Sequence, residues 1–99
     1  MSEKDIVKLY RTFFILGDSA SLKILFELER YGEKTFSELR DNLSINPATL
    51  SKKLKILVQT GLIVPDKSHD HLRVFYSLHQ NQKPLRRVLD ALERLSTEL

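Results

Sequence analysis

Apolar residues along this chain follow two different periods. From residue 3 to 16, Ile6, Leu9, Tyr10, Phe13 and Leu16 recur at helical spacing, and Val7 and Phe14 widen the stripe. A helix this apolar on more than one side must bury two faces. Gly17 ends it. Asp18 or Ser19 then caps a second helix running to about Tyr31, with Leu22, Ile24, Leu25, Phe26 and Leu28 inside and Gly32 as its stop. Thr35-Phe36-Ser37-Glu38 opens a short third helix. Thr35 or Ser37 offers the cap, Glu38 suits a capping box from Thr35, and Phe36, Leu39 and Leu43 form the core stripe. Ser44-Ile45 is a tight turn into a fourth helix, which begins at Asn46-Pro47 and stops at Gly61. Leu50, Leu54, Leu57 and Val58 make its apolar side.

After Gly61 the period shortens. Leu62-Ile63-Val64 is a β-type run stopped by Pro65, and residues 66–71 have turn chemistry. Leu72 to Leu78 is a second strand, with positions 72, 74, 76 and 78 on one face. Together they predict a hairpin. After the polar break at residues 79–82, Pro84 opens a last helix over about 84–98. There Leu85, Val88, Leu92, Leu95 and Leu99 alternate steps of three and four, the seam of a coiled-coil-like contact, and Leu89 broadens it. The pattern predicts one domain over 1–99: mainly α with a small β-hairpin (α+β), five helices and two strands. A helix-turn-helix lies at about 35–60.

The fourth helix changes the picture from fold to function. Opposite its apolar side lie Ala48, Thr49, Lys52, Lys55, Ile56 and Gln59, with Lys53 on the flank. No acidic residue occurs between Asp41 and Asp66. One side is greasy and the other short, polar and basic, as a helix entering a DNA groove requires. The formal net charge is +3 and the sequence pI about 9.3. The basic excess is local: Lys52, Lys53, Lys55, Lys67 and Arg73 lie in the middle of the chain, while the acidic residues crowd the first half. Such a cluster is the electrostatic footprint of a polyanion partner.

Candidate contacts follow from that placement. Ala48, Thr49 and Lys52 are expected to face base edges; Ser51, Lys53 and Lys55 reach phosphates, with Asn46 near the backbone. On the hairpin, Lys67, His69, His71 and Arg73 are expected over the adjacent minor groove or its phosphates. Two histidines at that spacing also suit a metal ion, but no third ligand is evident beside them, so no metal site is expected. The two-sided first helix and the last seam predict a homodimer interface from Ile6, Tyr10, Phe13, Leu85, Val88, Leu92, Leu95 and Leu99.

The order helix, helix, helix-turn-helix, hairpin, helix resembles winged-helix transcriptional regulators of the ArsR and HxlR type. The resemblance rests on Ile15-Leu16-Gly17-Asp18 with Leu22-Lys23-Ile24-Leu25, on Thr35 to Leu39, on Thr49 to Leu57 with Gly61-Leu62-Ile63, and on Arg73 to Leu78. It covers about residues 15–78. It implies a winged helix-turn-helix with a wing at about 62–78, and a homodimer on operator DNA held together by the terminal helices. The sensing residues of metal-responsive ArsR-type proteins have no counterpart here: there is no cysteine, and the last helix carries Asp90 and Glu93 but no His.

Composition removes other classes. Without cysteine there are no disulfides, thiolate metal sites or cysteine nucleophiles, which fits a reducing, cytoplasmic setting. No signal peptide is visible, and no apolar run approaches the roughly 18 residues of a membrane span. No Ser–His–acid spacing, phosphate loop or paired-carboxylate pocket supports an enzyme, and no cofactor is expected. The expected function is a homodimeric, sequence-specific regulator binding double-stranded DNA, with any small-molecule effector unknown. Two alternatives remain: a protein–protein interaction module, favoured by an outward Ile56, and a sequence-tolerant architectural DNA binder, favoured by the small set of base-reading side chains.

Overall fold

Local chemistry at the helix ends sets the element boundaries. The computed structural model describes residues 1–69 and 72–99, which form five helices and three short strands. In chain order these are α1 (Glu3–Leu16), α2 (Ser19–Tyr31), β1 (Lys34–Thr35), α3 (Phe36–Leu43), α4 (Pro47–Gln59), β2 (Ile63–Asp66), β3 (Phe75–Leu78) and α5 (Lys83–Glu98). Asp18 caps α2 by accepting from the Ser21 N–H at 2.9 Å. Thr35 and Glu38 form the expected capping box at α3: the Thr35 hydroxyl accepts from the Glu38 N–H, and the Glu38 carboxylate accepts from the Thr35 N–H. Asn46 accepts from the N–H groups of Ala48 and Thr49. At the far end of α4 the Gly61 N–H donates to Val58 and the Leu62 N–H to Leu57. This closure needs a left-handed residue after the cap, and Gly61 supplies it at φ +81°. Thr35→Ala removes the α3 cap and is expected to cost about 1 kcal/mol in urea unfolding.

The hairpin is present, and a third strand extends it. β2 and β3 pair antiparallel in the register Ile63↔Leu78 to Asp66↔Phe75. β1 pairs with the other side of β3, giving the order β1-β3-β2. A two-residue strand has no alternation to read, so the sequence gives no sign of it. Pairing on β3 begins at Phe75, not at Leu72, whose side chain is 92 % exposed. β2 continues through Pro65 because it is an edge strand, where a missing N–H breaks no ladder.

The core is built from Ile24, Leu25 and Leu28 of α2, Leu39 of α3, Leu50, Leu54 and Leu57 of α4, and residues of the sheet and α5. Two departures concern the terminal helices. Leu85, expected at a dimer seam, is buried with Leu89 in this core. At about 100° per residue the seam drifts round α5. Its Leu85–Leu89 side therefore meets the body, and Arg30 of α2 pairs with Glu93 along it. The other side leaves Val88, Leu95 and Leu99 exposed. α1 buries none of its residues, and Tyr10, Phe13 and Phe14 are 62, 67 and 83 % exposed. No described helix is long and apolar enough to cross a membrane.

Candidate nucleic-acid interface

The turn between α3 and α4 aims the candidate helix. Ser44 ends α3 in the left-handed region, at φ 53° and ψ 42°. Ile45 is buried, and Asn46 starts α4. Leu50, Leu54 and Leu57 clamp one side of α4 into the core. The opposite side is therefore turned to solvent, and Ala48, Ser51, Lys52, Lys55 and Gln59 are all exposed. The Asn46 side-chain oxygen is committed to the cap. A groove of about 330 Å³ separates this face from the sheet, with Ser51, Lys55 and Gln59 on one wall and Pro65 and Tyr76 on the other. The exposed Lys52 and Lys55 beside the groove give a basic surface of the kind that contacts phosphates.

One flank of α4 faces protein instead. Lys53 reaches Asp18 with Nζ 3.1 Å from Oδ1, which turns it away from the position expected for a phosphate contact. Ile56 is half-buried, not outward, and Thr49 on the same flank is half-buried too. Ile56 lines a cavity of about 270 Å³ with Arg11, Phe14, Ile15, Asp18 and Lys53. The helical period places a residue around the axis; it does not say whether α1 and α2 or water lies there.

Asp18 holds both roles, capping α2 and pairing with Lys53. Its carboxyl lies below the usual aspartate range, chiefly because the Ser21 N–H hydrogen-bonds the ionised form, with Lys53 adding to this. A depressed value stabilises the fold above the unfolded-state value of 3.8, and that stability is lost as the pH falls below it. Asp18→Asn is expected to be less stable than the parent at pH 7, with the deficit shrinking by pH 3 in urea unfolding.

The hairpin divides its expected contacts. Lys67 is exposed. Arg73 is exposed and its guanidinium lies 5.6 Å from the centre of the Phe75 ring, a cation–π arrangement that orders the side chain. His69 is turned back on the protein: Nε2 is 3.2 Å from Glu33 and 3.5 Å from Asp66. His71 lies outside the described residues. The convergence of Glu33, Asp66 and His69 is invisible in the sequence, because Glu33 reaches the other two only across β3. Gln59, outside the expected contacts, shares the exposed face of α4.

Comparisons with known proteins agree with this geometry. Residues 18–64 match the family model described as bacterial regulatory protein, arsR family. No curated protein sequence matches the chain. Among solved structures, HlyU from Vibrio cholerae N16961 is similar at 26 % identity, with 95 % of this chain and 97 % of that one covered and a TM-score of 0.77. The transcriptional regulator HlyU from Vibrio vulnificus CMCP6 is similar at 25 % identity over 91 % of this chain and 92 % of that one, with a TM-score of 0.72. The homodimeric winged helix-turn-helix DNA-binding domain of Mb0332 from Mycobacterium bovis shares the fold at 21 % identity, a TM-score of 0.77, and coverage of 99 and 89 %.

Proposed function

We propose that this chain, a winged helix-turn-helix of the arsR type, is a transcriptional regulator that binds double-stranded DNA as a homodimer. The observation that carries this is the exposed face of α4, where Ala48, Ser51, Lys52 and Lys55 stand clear of the protein with no acidic neighbour on the helix. In this reading α4 enters the major groove, and Lys67 and Arg73 of the wing lie on the adjacent backbone or minor groove. The dimer is supported by α1, whose aromatic face no described residue buries, and by the open side of α5.

Selection of bound duplexes from a random pool, followed by footprinting, tests the proposal. The expected winner is a pseudo-palindrome with half-sites about 34 Å apart. Failure to retain any duplex at low salt would remove the DNA reading. Lys55→Ala is expected to weaken all sequences about equally and to lower the salt slope by about one. Lys52→Ala should also shift the selected bases. A pool that stays random after selection favours a sequence-tolerant binder, which the lysine-based face, without a bidentate pair, would suit. The interaction-module alternative loses its main support, since Ile56 is half-buried against α1 and α2.

A further inference from the structure

We infer that Glu33, Asp66 and His69 form a site for a divalent first-row transition-metal ion, with zinc the best chemical match. The three come from separate parts of the fold. Glu33 precedes β1, Asp66 ends β2, and His69 follows in the wing. β1 and β2 are opposite edges of the sheet, and Phe75 of β3 pairs with Thr35 on one side and Asp66 on the other. That register brings the two edges' ends together at one end of β3. One ligand atom from each residue then lies within 4.8 Å of the others.

The distances suit an ion. Tetrahedral ligands about 2.1 Å from zinc stand roughly 3.4 Å apart. His69 Nε2 is 3.2 Å from Glu33 Oε2 and 3.5 Å from Asp66 Oδ2. The two carboxylate oxygens lie within 4.8 Å of each other, and both are on exposed or half-buried side chains able to move. The donor set is one imidazole nitrogen and two carboxylate oxygens, which favours zinc or its neighbours over calcium or magnesium, whose sites are built of oxygen. All three side chains are partly exposed, so water completes the coordination.

Packing outside the cluster fixes the aim of the ligands. The His69 ring stands edge-on to Phe75, with centroids 5.1 Å apart and planes at 70°, and this holds Nε2 towards the carboxylates. The Ser68 N–H donates to Asp66 Oδ1 at 2.7 Å, leaving Oδ2 on the His69 side. A bound ion ties both edges of the sheet to the wing beside Lys67.

The inference stands apart from the DNA reading, because its test uses no DNA. Untagged, chelator-treated full chain is titrated with zinc chloride by calorimetry and with cobalt chloride by visible absorption. The expected result is saturable binding of one ion per chain. His69→Ala should abolish it, and Glu33→Gln and Asp66→Asn should each weaken it by roughly 10–100-fold, as losses in a metal site do. Lys23→Ala, at an exposed position of α2 away from the cluster, should bind as the parent does. Circular dichroism confirms that each variant is folded, as substitutions at accessible side chains allow. Absence of saturable binding to the parent overturns the inference, as does a His69→Ala variant that binds with unchanged affinity. Loss of binding in His71→Ala but not in His69→Ala would equally overturn it.

Discussion

Phe13→Glu is expected to yield a folded monomer that binds a two-half-site operator roughly 10²–10⁴-fold more weakly than the parent, the range that separates linked from single binding. Phe13 sits on α1, which has no fully buried residue and meets the core through the half-buried Ile15 and Leu16 at its end. With Tyr10 and Phe14 it forms an aromatic surface of a kind that isolated soluble domains rarely leave bare. Burying one phenylalanine in a dimer contributes about 1.5–3 kcal/mol, so a dimer gains that twice from this position. A glutamate there must either carry its charge into an apolar contact or prevent the contact. The fold should survive, since the Phe13 side chain is 67 % exposed. Sedimentation velocity and mobility shift on the selected operator measure the two consequences. A variant that stays dimeric at the parent's concentration would remove α1 from the interface.

Leu50→Ala is expected to destabilise the protein by about 2–5 kcal/mol. Leu50 is fully buried on the inner side of α4, in line with Leu54 and Leu57. A domain of this length has roughly 5–15 kcal/mol in all, so the loss takes a large share of it. The substitution leaves every exposed residue of α4 in place. It therefore separates holding the helix from reading DNA: operator affinity should fall only as the folded fraction falls. Urea unfolding at fixed protein concentration should show a lower midpoint with the slope unchanged, and fixing the concentration matters because a dimer's stability depends on it. A loss below about 1 kcal/mol would mean that the surroundings of α4 collapse to fill the space, contrary to a close-packed core.

The helices were legible because local chemistry determines them. Caps at Asp18, Thr35 and Asn46, the stop at Gly61 and the apolar steps of three and four all lie within a few residues of one another. The exposed basic face of α4 follows from the same spacing once Leu50, Leu54 and Leu57 are known to point inward. What the sequence hid is tertiary. Lys53 and Ile56 share a flank of α4 that sequence reads as solvent, whereas Asp18 and the end of α1 occupy it. Leu85 and Val88 belong to one seam in sequence, yet the body of the domain takes the first and leaves the second open. β1 is two residues long, and its partner lies about forty residues away, so no local pattern announces it. The same strand is what carries Glu33 towards Asp66 and His69.

The Asp18–Lys53 contact has a mechanical consequence. Asp18 follows directly on Gly17, where α1 ends, and its carboxylate grips both the first turn of α2 and the flank of α4. Swinging α1 relative to the body therefore pulls on a carboxylate that holds the flank of α4. Two copies that meet through α1 would fix more than the span between their α4 helices. The same embrace would set how steeply each α4 is pitched, so spacing and tilt would be adjusted together by a single joint.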